Sequence, residues 1–291
     1  MHTEHRHPPE GAGLSKPPGV LIDADGLRAL LAGRPDTVVL DVRWALGDPD
    51  GHRHYLAAHI PGAVYVDLDS ELSSPPSAAH GRHPLPPIEE LECSARRWGI
   101  RGGATVVAYD DVGNLSAARC WWLLRWAGLE DVRMLDGGLS AWRAGGGEIE
   151  SGEVTPTPGD VVLTAGRLAV LDADGAGELA GAGILLDARA AERYRGEVEP
   201  LDPRAGHVPG ALSAPTAENL RADGTFRDSA ELAARFRSLG VQSASSVGVY
   251  CGSGITAAHE IAALALAGFD AALYPGSWSQ WSADPSRPIS P

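Results

Sequence analysis

The chain has 291 residues and is 44% hydrophobic, long enough for two domains of ordinary size with a core each. A formal net charge of −14, with no Lys/Arg run longer than two residues, argues against a nucleic-acid surface, and no stretch approaches the ~18 consecutive apolar residues of a membrane span. Three cysteines, Cys93, Cys120 and Cys251, are an odd number without metal-type CxxC spacing and fit a reducing cytoplasm.

Residues 1–17 open with Met1-His2-Thr3-Glu4 rather than a basic-then-apolar signal pattern, and read as a disordered tail. Its His2, His5 and His7 lack structured neighbours with which to hold a metal. From 18 to 147, strands are predicted near 37–41, 63–66, 104–109 and 132–135, and helices near 23–32, 87–98, 115–127 and 138–144. The stretch 148–160, which holds Pro156 and Pro158, reads as a linker. From 161 to 291, strands are predicted near 183–187, 211–213, 246–250 and 271–274, and helices near 165–172, 228–238, 255–267 and 277–281. Such alternation predicts an α/β architecture in which each domain is a parallel sheet flanked by helices.

The two halves repeat one another. Val39-Leu40-Asp41-Val42-Arg43 returns as Leu185-Leu186-Asp187-Ala188-Arg189, and His59-Ile60-Pro61-Gly62-Ala63 as His207-Val208-Pro209-Gly210-Ala211. Val106-Val107-Ala108-Tyr109 matches Val247-Gly248-Val249-Tyr250, and Leu139-Ser140-Ala141-Trp142 matches Trp278-Ser279-Gln280-Trp281. Offsets of 146, 148, 141 and 139 drift slowly, as insertions and deletions in loops require. Asp187 and Arg189, present in both copies as Asp41 and Arg43, read as structural braces, and His59 and His207 as duplicated turn residues.

The chemistry concentrates at Cys251-Gly252-Ser253-Gly254-Ile255-Thr256-Ala257, between a strand-like and a helix-like run. Gly252 and Gly254 let the backbone curl so that its N–H groups face the sulfur, and the following helix N-terminus adds positive potential. Both favour a nucleophilic thiolate. Where the second half has Tyr250-Cys251 the first has Tyr109-Asp110, in a loop with two carboxylates, Asp110 and Asp111, which is expected to repel an anion. Chemistry is therefore expected in the C-terminal half, with the N-terminal half supplying interface and cleft walls.

With these residues in view, the chain resembles the tandem-domain sulfurtransferases of the rhodanese superfamily, in which an inactive N-terminal domain precedes an active one. The resemblance covers nearly everything after the tail and includes the His-Ile-Pro-Gly-Ala element, the Leu135-Asp136-Gly137-Gly138 turn, the ending Gly276-Ser277-Trp278-Ser279-Gln280-Trp281 and the Cys251 loop. It implies an inactive rhodanese-like domain over 18–147 and a catalytic one over 161–291. Thiosulfate-using members look like Cys-Arg-Lys-Gly-Val-Thr-Ala and mercaptopyruvate-using members like Cys-Gly-Ser-Gly-Val-Thr-Ala. Gly252 and Ser253 point to 3-mercaptopyruvate, with thiosulfate as the alternative donor.

The resemblance further implies that Gly252, Gly254, Ile255 and Thr256 line the substrate site with two arginines, which by position are Arg193 and Arg204. A guanidinium suits this work because it grips a carboxylate with two parallel hydrogen bonds. The loop before Arg204 is about two residues longer than the family spacing, and each arginine has a plain alternative as a solvated charge. A proton relay is implied from Ser253 to His83 and Asp69, with His80 a competitor for His83. No metal or organic cofactor is expected, because the cysteine itself carries the sulfur as a persulfide. The implied partners are a small-molecule sulfur donor and a thiol acceptor such as thioredoxin, or cyanide. A phosphatase would need a cation where Ala257 stands, and a non-enzymatic binding module would form no persulfide.

Overall fold

The computed structural model describes residues 19–291. The expected tail with its three histidines lies outside the described residues. Among the described residues nine strands form two parallel sheets. The first contains β1 (Leu21–Ile22), β2 (Thr37–Asp41), β3 (Val64–Tyr65), β4 (Thr105–Tyr109) and β5 (Val132–Leu135), in the order β1-β5-β4-β2-β3. The second contains β6 (Ile184–Asp187), β7 (Leu212–Ser213), β8 (Val247–Tyr250) and β9 (Ala272–Leu273), in the order β7-β6-β8-β9. The inner strands β4 and β8 are buried throughout and read as continuous apolar runs, as parallel strands covered on both faces must.

The sequence places one helix wrongly. The segment 165–172 is not helical: it bends at 165 and 167–168, and Val170 bridges Leu273 in parallel with Leu171 N–H donating to the Leu273 carbonyl at 2.8 Å. The helix begins later, at Ala173–Ala182, because Asp172 caps it by accepting from Gly175 N–H at 2.8 Å. This repeats the first half, where β1 is followed by Asp23, which accepts from Gly26 N–H at 2.7 Å and opens the helix Ala24–Gly33. Leu171-Asp172-Ala173-Asp174-Gly175 thus echoes Ile22-Asp23-Ala24-Asp25-Gly26. Strand β1 and the short helices Gly51–Ala57, Leu68–Glu71 and Ala191–Tyr194 carry too few residues to show a period.

The duplicated braces superimpose in chemistry. Arg43 donates to Asp41 at 2.7 Å and Arg189 to Asp187 at 2.6 Å, both pairs buried. Tyr109 and Tyr250 hydroxyls accept from the Ile60 and Val208 N–H groups at 3.0 and 3.1 Å, and His59 and His207 bond the carbonyls of Tyr55 and Tyr194 at 2.9 Å each. These histidines serve the turn.

The halves meet through the helices Ala117–Trp126 and Thr256–Leu266, each buried over most of its length and packed against the other. A helix apolar on nearly every side is one covered on two faces, here by its own sheet and by the opposite half. One core accordingly joins Leu40, Val106, Ala118 and Leu123 to Leu186, Val249, Ala258 and Ile261. Among the described residues no helix is long and apolar enough to cross a membrane.

Removing the Asp172 cap by Asp172→Ala is expected to cost about 1 kcal/mol of stability, read as a lower urea midpoint with an unchanged slope.

Candidate active site

Strand β8 ends at Cys251, whose side chain sits at the carboxyl end of the sheet, where open α/β folds place their ligands. Cys251 is 2% exposed, and its Sγ accepts from Gly254 N–H at 3.1 Å. Gly254 has φ +82°, and a Cβ there would lie 2.6 Å from the Pro275 carbonyl oxygen, so the position admits glycine alone. Ile255 is buried in the core and Thr256 starts the helix, so both shape the loop from behind.

Cys251 is also held from its backbone. Its N–H donates to Ser277 Oγ at 3.1 Å, and that hydroxyl donates to the Tyr274 carbonyl at 2.9 Å. Ser277 adopts φ 52°, a left-handed conformation costly for any residue with a Cβ, where the first half has Gly138 at φ 56°. The hydroxyl explains why serine stands there, and a serine at the glycine position of the repeat was the readable signal.

Ser253, His83 and Asp69 come together as the sequence suggests. His83 Nδ1 lies 2.8 Å from Ser253 Oγ, and His83 Nε2 lies 3.3 Å from Asp69 Oδ1. Burial, reinforced by the positive charges of Arg119 and Arg82 and opposed by Asp69, pushes the His83 imidazole down to about 4. It is therefore a neutral base at physiological pH. His80 is exposed and bonded to Ser77 Oγ at 3.1 Å, with no contact to this chain of groups.

The two arginines part company. Arg193 reaches the loop, since a Cβ on Gly252 would lie 3.3 Å from its Nη1, while its Nη2 donates to Glu199 at 2.7 Å and to Asp202 at 3.3 Å. Arg204, expected beside it, is turned away. Its guanidinium donates to the carbonyls of Ser282 at 2.8 Å, Trp281 and Arg287 at 3.0 Å each, and Asp284, and its own carbonyl accepts from Trp278 Nε1 at 3.0 Å. Arg204 ties down the C-terminal segment.

Two residues of the N-terminal half enter the site without having been expected there. Arg119 is fully buried and donates to the carbonyls of Leu72, His83, Pro84 and Gly254 at 3.0–3.3 Å, with no carboxylate among its partners. Burial pulls its guanidinium down to about 10, and it clamps the His83 segment onto the Cys251 loop. An arginine inside the otherwise apolar run 117–124 of this helix was the available signal. Arg82, the neighbour of His83, lies against Gly252, a Cβ on which would meet its Nη2 at 3.1 Å.

The loop of the first half overturns one expectation. Asp110 does not repel anions from an open cradle but fills the cradle itself. Its Oδ1 accepts from Val112 and Asn114 N–H at 2.9 and 2.7 Å, and its Oδ2 from Ser116 and Ala117 N–H at 2.8 and 3.1 Å. Burial pushes this carboxyl up and those backbone bonds oppose it. Leu139 N–H donates to the Asp110 carbonyl and Trp278 N–H to the Cys251 carbonyl, both at 2.9 Å, which fixes the two residues as equivalents. A cavity of about 990 Å³ elsewhere in the fold, lined by residues such as Trp121, Arg125, Leu179 and Phe269, contains none of these groups.

A family model described as the rhodanese-like domain matches residues 23–145 and again 171–284. The Mycobacterium tuberculosis protein "Putative thiosulfate sulfurtransferase SseB" is 50% identical over 275 residues, 93% of this chain and 96% of the relative. "Probable 3-mercaptopyruvate sulfurtransferase" of Pseudomonas aeruginosa is 47% identical over 276 residues, 92% of this chain and 97% of the relative. Among solved structures, the 3-mercaptopyruvate sulfotransferase SseA of Escherichia coli aligns with a TM-score of 0.78 at 34% identity, covering 90% of this chain and 99% of its own. The chain belongs to the rhodanese family, with two rhodanese-like domains in tandem, and is an enzyme of the sulfurtransferase class.

A proton-detected NMR titration is expected to show the His83 imidazole neutral at pH 6, with a midpoint near 4 rather than near the ordinary 6.5.

Proposed function

We propose that the enzyme transfers sulfur from 3-mercaptopyruvate through a persulfide on Cys251. The observation that carries this reading is the 2.8 Å contact between His83 and Ser253, two residues along from the thiol. The Cys251 thiolate attacks the donor sulfur, forming the S–S bond as the donor C–S bond breaks, and the electron pair of that bond leaves on the enolate of pyruvate. Ser253 takes the proton of the donor thiol as it hands its own to neutral His83, and the relay returns a proton to the enolate carbon. Asp69 steadies the transient imidazolium. The products are pyruvate and an anionic persulfide, whose charge the loop amides and the helix N-terminus offset. A second thiol, thioredoxin among the candidates, or cyanide then attacks the outer sulfur and restores the Cys251 thiolate.

Thiosulfate is the second reading, favoured by the 50% identity to the Mycobacterium tuberculosis relative of that name. Its leaving group, sulfite, departs with its charge and needs no proton, so a thiosulfate enzyme has no use for the relay.

Reduced, desalted protein incubated in parallel with each donor is expected to release pyruvate faster than sulfite and to gain one sulfur by intact mass. A larger kcat/KM for thiosulfate would overturn the choice of donor. Cys251→Ser is expected to abolish both release and sulfur gain, and continued pyruvate release by this variant would sink the assignment of the nucleophile. His83→Asn is expected to slow pyruvate release about 100-fold while leaving sulfite release from thiosulfate nearly unchanged.

A further inference from the structure

The cavity of about 990 Å³ shares no lining residue with the Cys251 site and lies at the other end of the fold. Cys251 follows the carboxyl end of β8, whereas the cavity opens at the amino ends of four strands. Val20 precedes β1, Val132 begins β5, Val247 begins β8 and Ala271 precedes β9, and all four residues line it. Both halves build it, since Trp121 and Ile261 belong to the two helices through which the halves join. Trp121, Val247, Ile261 and Phe269 give it buried apolar surface, and Leu168, Leu171, Leu179 and Leu266 stand half-buried on its lining. Apolar surface gathered in a concave site and left partly in water is what a ligand with an apolar body covers.

Two guanidinium groups interrupt this lining, and they come from one place. Arg125 stands on the last turn of the helix Ala117–Trp126, and the stem of Arg167 runs along Gly128 just beyond, where a Cβ would meet Arg167 Cγ at 3.7 Å. The segment that carries Arg167 is tied to both halves, with Arg167 N–H donating to the Trp126 carbonyl at 3.0 Å and Leu171 N–H to the Leu273 carbonyl at 2.8 Å. Arg125 Nη1 donates to the Glu130 carbonyl, and among the described residues neither guanidinium has a carboxylate partner and that of Arg167 has no acceptor of any kind. The carboxylate on the described lining is Asp270, so two cations stand against one anion. In a chain of net charge −14 this local excess runs against the charge of the whole.

We propose that this cavity is a binding site for a free carboxylate with an aliphatic tail, of roughly ten carbons for a cavity of this size. Arg167 and Arg125 receive the carboxylate, and the tail lies against Trp121, Ile261 and Phe269, between the helices of the two halves. The occupant is amphipathic because a wholly apolar ligand leaves the guanidinium groups unanswered, and a compact anion leaves the leucines in water. The site is separate from the sulfur chemistry and stands whichever donor the enzyme prefers.

Calorimetry on the full chain with octanoate, decanoate and dodecanoate, each below its micelle concentration, is expected to show one site per chain. Affinity is expected to rise about 5- to 10-fold for each pair of methylenes added, as burial of the tail requires. Cys251→Ser is expected to bind equally, and pyruvate not to compete. Arg167→Glu is expected to weaken decanoate binding about 10-fold or more and to leave the uncharged decanol within about 2-fold of the parent. Ala265→Trp brings bulk into the cavity from an exposed position, and is expected to abolish binding of both while keeping the melting temperature. No uptake at any length, an affinity indifferent to length, an unchanged affinity in Arg167→Glu, or competition by pyruvate would overturn the proposal. So would evidence of another occupant. A second copy would show as association in sedimentation that Ala265→Trp abolishes, and a membrane as binding to phosphatidylglycerol vesicles without uptake of free decanoate. Because Gly19 lines the cavity, residues 1–18 are the third rival, and their backbone resonances would shift on Ala265→Trp with no carboxylate added.

Discussion

A ring of backbone N–H groups at the end of the central strand must find a negative partner, and the site is organised around that demand. A strand that turns sharply into a helix leaves the amides of the turn and of the first helical residues pointing inward without carbonyls to receive them. In the N-terminal half the Asp110 carboxylate answers four of them and the loop is closed. In the C-terminal half the sulfur of Cys251 answers the amide of Gly254. The two loops show one cradle in two states, filled by a side-chain carboxyl in one copy and by the Cys251 sulfur in the other.

Because both loops face the helices that join the halves, the active site is composite. Arg119 and the turn Gly81-Arg82-His83 come from the half without the thiol, and Arg119 reaches the Gly254 carbonyl from its buried position. A buried cation surrounded only by carbonyls is tolerable where an anion forms nearby, and the same desolvation that lowers the guanidinium strengthens its pull on a thiolate or persulfide. The apolar helix contact provides the adhesion and the polar groups provide the register.

The parts of this arrangement legible in the sequence were those with a local or repeated signature. The duplication showed through Asp41 and Asp187, His59 and His207, and the two aromatic endings, and the glycine-flanked Cys251 announced its loop. Ser253, His83 and Asp69 came from family resemblance, and the structure places them in contact. What failed was what depends on where the chain goes next. Arg204 binds four carbonyls of the C-terminal segment, contacts that its position along the sequence did not reveal. Arg82 lies 170 residues before Gly252, and only the packing of one half on the other makes them neighbours. The helix at 173–182 was displaced because periodicity was weighed above the Asp172 cap, although the matching cap at Asp23 stood in the other copy.

Asp110 has a further meaning for the history of such a chain. Where one of two duplicated loops holds a carboxylate and the other a thiol, the carboxylate copy is self-satisfied, a fixed surface on which the other can be completed. A change at Arg119 or in Gly81-Arg82-His83 falls on the Cys251 loop as directly as a change at Gly252, so the carboxylate-bearing copy is no freer to drift than the thiol-bearing one.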